Sequence, residues 1–153
     1  MIACYTGFLD SATLLCERGA ALNLQTTNGA TALYLASHGN HLECARLLCD
    51  RGADLNLQVD GGWTTLMAAC QEGHLDIATM LCERGAALNL QSASGATALY
   101  IACQERHLEC ARLLCDRGAD TLLPGFHGRP YAAACFMFGV ESPMAVLLQQ
   151  FLH

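Results

Sequence analysis

The stretch His41-Leu-Glu-Cys-Ala-Arg-Leu-Leu-Cys-Asp-Arg-Gly-Ala-Asp54 occurs again, unchanged, as His107–Asp120. Working outward from the two copies, the whole of Cys16–Asp54 returns as Cys82–Asp120. They differ only at positions 26, 27, 28, 35, 37, 38, 39 and 40 of the first copy, so 31 of 39 positions match. Inside that duplication lies a shorter period. Glycines recur at Gly29, Gly62, Gly95 and Gly128, and again, at the same spacing, at Gly19, Gly52, Gly85 and Gly118. A fixed period of this length marks a solenoid of stacked supersecondary units. The units read 29–61, 62–94 and 95–127, with a truncated unit at 1–28 and a divergent last one at 128–153, all within a single domain.

Each unit spells out its own helices. Thr31, Thr64 and Thr97 follow Gly by two and precede an apolar run; a threonine there predicts an N-cap opening a short helix. A break follows near Gly39-Asn40 or Glu72-Gly73. A second helix then places Leu42, Ala45, Leu48 and Cys49 on one buried stripe and Glu43, Arg46 and Asp50 on a solvated one. Gly52 is predicted to end it as a left-handed cap. The segment Ala53-Asp-Leu-Asn-Leu-Gln58 and the following Val-Asp-Gly-Gly form an extended turn before the next unit.

These motifs resemble the ankyrin repeat. The fullest match runs from Gly62-Trp-Thr-Thr-Leu-Met-Ala-Ala through Gly73-His-Leu-Asp-Ile-Ala to Gly85-Ala-Ala-Leu-Asn. The family's Thr-Pro-Leu-His becomes Thr-Ala-Leu-Tyr, Thr-Thr-Leu-Met and Thr-Ala-Leu-Tyr here. The resemblance implies an all-α solenoid of stacked helix-turn-helix units with extended hairpin loops. It implies that His41, His74 and His107 are capping histidines bonded to local backbone, and that Tyr34 and Tyr100 are core with a polar edge.

Composition excludes several function classes. The formal charge is −6, with 8 basic and 14 acidic residues, the reverse of a nucleic-acid binder's balance. No apolar run reaches the roughly 18 residues needed to span a bilayer, and no basic cluster precedes an apolar stretch as in a secretory signal. Ten cysteines without such a signal are expected to be reduced thiols in the cytoplasm, with the nucleus as the alternative. Cys16, Cys49, Cys82 and Cys115 share one phase; Cys4, Cys70 and Cys103 share another, in which Ser37 fills the missing place. Same-phase positions stack about 8–10 Å apart, beyond disulfide reach. His41 and Cys44 are near enough to share a metal, but no second ligand pair joins them, so the cysteines are read as small core hydrophobes. No cofactor, metal or catalytic residue is expected, since no HExxH, GxSxG or phosphate loop appears.

A partner protein is therefore expected. By the resemblance, it binds the concave side, formed by turn tips and first helices. Position by position, this gives Thr27, Asn28, Ala30, His38 and Gly39 in the second unit, and Asp60, Gly61, Trp63, Gln71 and Glu72 in the third. The fourth gives Ala93, Ser94, Ala96, Gln104 and Glu105, and the last Arg129, Met137 and Phe138. The alternative is a structural segment of a longer array with no partner of its own. Trp63, the one tryptophan, stands where neighbouring units carry Ala30 and Ala96. It is either an anchor or a ring lying over the adjacent turn. With Asp60, Glu72 and Glu105 and no lysine or arginine among these positions of the full units, a neutral or basic partner surface is expected. At the C-terminal end, Phe136, Phe138 and Phe151 either close the core, leaving a monomer, or leave a face that pairs with a second copy or with further chain. Closure is the expectation.

Overall fold

The structure is a computed structural model, and it describes residues 1–123, 139 and 141–151. The described residues fold into antiparallel helix pairs: α1 (Ile2–Tyr5) with α2 (Leu9–Glu17), α3 (Ala32–His38) with α4 (Leu42–Asp50), α5 (Thr65–Glu72) with α6 (Leu75–Glu83), and α7 (Ala98–Gln104) with α8 (Leu108–Asp116). A further helix, α9 (Pro143–Gln149), packs on α8. First helices stack on first helices and second on second, so the pairs make two layers with the core between them.

Local chemistry sets these boundaries. Thr31, Thr64 and Thr97 accept from the backbone N–H of Tyr34, Met67 and Tyr100 at 3.1, 3.2 and 3.2 Å, satisfying a donor the first turn would otherwise orphan. Ser142 caps α9 in the same way, with Pro143 in the first turn, where its missing N–H costs nothing. Gly52, Gly85 and Gly118 follow the second helices at φ of +87°, +83° and +84°. That is the left-handed conformation that ends a helix without a Cβ penalty. Between units the chain doubles back: Thr26, Val59 and Ser92 N–H donate to the carbonyls of Ala30, Trp63 and Ala96, the expected hairpin loops.

The core is built of small and aliphatic side chains. Ala36, Ala45, Leu33, Ile77, Leu81, Ala102 and Leu114 are all buried. Of the nine described cysteines, all unpaired, Cys4, Cys44, Cys70, Cys103, Cys110 and Cys115 are buried, and Cys16, Cys49 and Cys82 are half-buried. Burial pushes the Cys115 thiol up to about 11 and Cys103 still higher, so both stay protonated and behave as hydrophobes. A thiol–thiol hydrogen bond raises Cys70 and lowers Cys110. Cys135 lies outside the described residues.

Where Cys4, Cys70 and Cys103 pack, the equivalent Ser37 is buried, and its hydroxyl finds no partner among the described residues. A buried, unsatisfied hydroxyl costs roughly 1–3 kcal/mol. Ser37→Cys, restoring the residue used by the other units, is expected to raise unfolding stability by about 1 kcal/mol. Urea titration of the two proteins checks this, and an unchanged or lower midpoint would show that the hydroxyl is satisfied.

Three polar ladders cross the unit boundaries. The histidines do not cap their own helices, contrary to the expectation from the sequence; the helices they precede show no side-chain cap bond. His41, His74 and His107 Nε2 instead lie 2.8, 3.1 and 3.0 Å from the carbonyl oxygens of Tyr5, His38 and Gln71 in the preceding unit. Since a carbonyl only accepts, each ring carries its proton on Nε2. Asn23, Asn56 and Asn89 Oδ1 accept from Asp54, Ala87 and Asp120 N–H in the following unit, each at 2.9 Å. Gln25 and Gln58 Nε2 donate to the Gln58 and Gln91 carbonyls at 3.2 and 3.1 Å. Position 8, the histidine's place in the first unit, holds Phe8 instead.

Candidate protein-binding groove

Stacking the third and fourth units brings Trp63, Gln71, Ser94, Ala96, Tyr100, Ile101, Gln104 and Glu105 around an open groove of about 400 Å³. Helix α7 supplies Tyr100, Ile101 and Gln104; Gln71 comes from α5, and Ser94 and Ala96 from the loop between α6 and α7. Each position follows from the local fold. Thr97 sets the first turn of α7, so Tyr100 and Gln104 fall one above the other on a single face.

Trp63 arrives by a turn found nowhere else among the described residues. Asp60–Gly62 makes a single 3₁₀ turn with Gly61 at φ +79°. The indole Cδ1 lies 3.5 Å from where a Cβ on Gly61 would sit. The Gly61 carbonyl accepts from Ala93 N–H at 2.7 Å, tying this turn to the next loop tip. The ring is half-buried against the core and lines the groove. The ring thus lies against the adjacent turn and also presents an apolar surface to the groove.

Six of the partner-contact residues singled out in the sequence converge here: Trp63, Gln71, Ser94, Ala96, Gln104 and Glu105. Tyr100, which the sequence places in the core, and Ile101 are both buried and nevertheless floor the groove. The signal that could have found them is the spacing: they lie four and three positions before Gln104 on one helix.

The other candidates sit elsewhere. His38 Nε2 lies 3.7 Å from a Glu72 carboxylate oxygen across the preceding boundary, both well exposed. Tyr34 stacks on His38 with ring centroids 6.3 Å apart. Burial, with a smaller push from the Glu72 carboxylate, raises the Tyr34 phenol above its ordinary value and keeps it neutral. Thr27 and Asn28 stand at the loop tip leading into the second unit, where the Asn28 carbonyl accepts from Asp60 N–H at 3.0 Å. Arg129, Met137 and Phe138 lie outside the described residues. Asp60, Glu72 and Glu105 are acidic, and among the described residues the groove lining contains no lysine or arginine. Among the described residues no three or more His, Cys, Asp or Glu side chains converge as a metal site, and no helix is long and apolar enough to cross a membrane.

A family model described as ankyrin repeats, in three copies, matches residues 1–92 and 58–124. No curated protein matches the chain.

Proposed function

The chain belongs to the ankyrin-repeat family, whose repeats are generally protein–protein interaction modules, and on that premise we propose that its partner docks at the groove between the third and fourth units. The observation that carries this reading is Trp63 placed beside Tyr100 and Ile101, with the amides of Gln71 and Gln104 at the edge. An apolar floor with a few orienting polar groups suits an inserted aliphatic or aromatic side chain. Glu105 at the rim, with Asp60 and Glu72 in the third unit, favours a neutral or basic flank on the partner. Binding suits the groove better than catalysis: its only ionisable lining groups are Glu105 and Tyr100, and acid–base chemistry needs convergent groups in a closed site. Nine described thiols without a disulfide fit a reducing compartment, the cytoplasm or nucleus.

Affinity capture with the intact chain and with Trp63→Ala, each at low and high salt, tests this. Loss of the indole is expected to weaken the main interaction by more than about 1 kcal/mol, and association should slow as salt rises. Equal recovery by both baits would reduce Trp63 to a packing residue, and a catch of acidic proteins or nucleic acid would refute the charge argument.

A further inference from the structure

The boundary before the groove is built from the same positions of the period, and the two differ in one respect. At the earlier boundary, His38 of the second unit stacks on Tyr34 and brings Nε2 to 3.7 Å from the Glu72 carboxylate of the third. One period further on, Gln71 stands in the place of His38 and Glu105 in the place of Glu72. The carboxylate is kept and the ring nitrogen facing it is lost. Glu105 is exposed, and its carboxylate accepts from Gln104 Nε2 at 3.2 Å. Among the described residues it has no lysine, arginine or histidine within ion-pair distance.

The floor holds a second unmatched group. Tyr100 is 1% exposed, and its buried hydroxyl makes no hydrogen bond among the described residues. Buried hydroxyls in folded proteins nearly always have a partner, and this one belongs to a residue lining the groove. Two periods back, the equivalent Tyr34 is half-buried and has the His38 ring beside it. Beside Tyr100 the same place is taken by Gln104, which has no ring to offer.

An indole, a carboxylate and an unsatisfied phenolic oxygen around one groove define their complement. It is planar, cationic and rich in N–H donors. A guanidinium meets each demand: it stacks on an indole, forks onto a carboxylate through two parallel bonds, and keeps further N–H groups for a hydroxyl oxygen. An ammonium has neither the plane nor the fork. Building on the docking site proposed above, we propose that the basic flank of the partner is an arginine, its guanidinium lying on Trp63, paired with Glu105 and donating to the Tyr100 hydroxyl. It sits beside the apolar side chain that the floor accepts. The partner's arginine thus takes, at this boundary, the place that His38 fills at the one before.

NMR titration of the ¹⁵N-labelled full chain with N-acetyl-arginine methylamide tests the proposal. Saturable shifts are expected at the Trp63 indole N–H and at the side-chain amides of Gln71 and Gln104. The citrulline counterpart, of the same shape but uncharged, should bind about tenfold more weakly, and the lysine counterpart should also bind more weakly than arginine. Glu105→Gln, at an exposed position, should erase the difference between arginine and citrulline. Tyr100→Phe keeps the ring, removes the hydroxyl and should weaken the arginine probe about fivefold. Equal binding of arginine and citrulline, or an arginine preference that survives Glu105→Gln, would overturn the proposal. So would a groove that answers to N-acetyl-leucine methylamide and not to arginine, although the docking site itself would then stand. No shift at the groove with any of these probes would overturn both.

Discussion

Leu81→Ala is expected to lower the unfolding free energy by about 3 kcal/mol, within the range for truncating a fully buried leucine. Leu81 lies in α6, which packs on α4, α5 and α8, and it has no exposed surface. The lost methyls leave a void that the neighbouring units cannot fill, because each is held in register by its own boundary bonds. Leu15 supplies an internal control. It is the same residue at the same position of the period, yet half its surface is exposed. Leu15→Ala should cost about 1 kcal/mol or less. Guanidinium titrations of both variants, compared at constant m-value, give the answer. Equal costs would show that Leu15 is as well covered as Leu81.

Gly62→Ala is expected to cost about 2–3 kcal/mol, by two effects that add. Gly62 sits at φ +75°, and a Cβ there would lie 2.9 Å from Ala93 N and 3.2 Å from Ser92 C and Cα. These are backbone atoms of the neighbouring loop, so relief requires moving the loop and straining the bond from Ala93 N–H to the Gly61 carbonyl. Gly52→Ala isolates the conformational part: φ is +87°, but nothing lies within 4 Å, and the cost should be about 1 kcal/mol. The Gly62 variant should also shift the emission of the adjacent Trp63, the only tryptophan in the chain. Equal losses for the two glycine variants, with unchanged emission, would mean that the loop tips are looser than their backbone contacts imply.

Much of the fold is legible without coordinates because its causes are local. A threonine two positions after each turn glycine must cap whatever helix follows. The spacing of Leu42, Ala45 and Leu48 fixes which side of α4 is buried. The histidines show where such reading stops: His41 reaches a carbonyl 36 residues earlier, and no local pattern encodes that distance. It needs the stacking register as well as the period. The groove is legible in the same measure. Trp63 stands out because it replaces the alanine of Ala30 and Ala96, and Gln71 and Gln104 because they share a phase in which the second unit has His38. Tyr100 belongs to the core by its family position and is indeed buried, yet one edge of a buried ring can still floor a surface groove. His38 and Glu72 fall one boundary away because the sequence marks a side of the solenoid and does not say where along it two units part to make a hollow.

The polar ladders also bear on how such a chain can lengthen. Their partners are separated by 31, 33 and 36 residues, so every bond joins one module to its immediate neighbour and none reaches further. Inserting any whole number of modules therefore leaves each donor facing the acceptor it had before, while a fractional insertion strands all three ladders at one joint. The internal copy carries Cys16 to Cys82, a shift of two full periods, and it could enter the gene in one step without leaving a new joint to be repaired. Growth by whole modules is thus tolerated from the start, and the side chains off the ladders, such as the tryptophan at position 63, are left free to diverge.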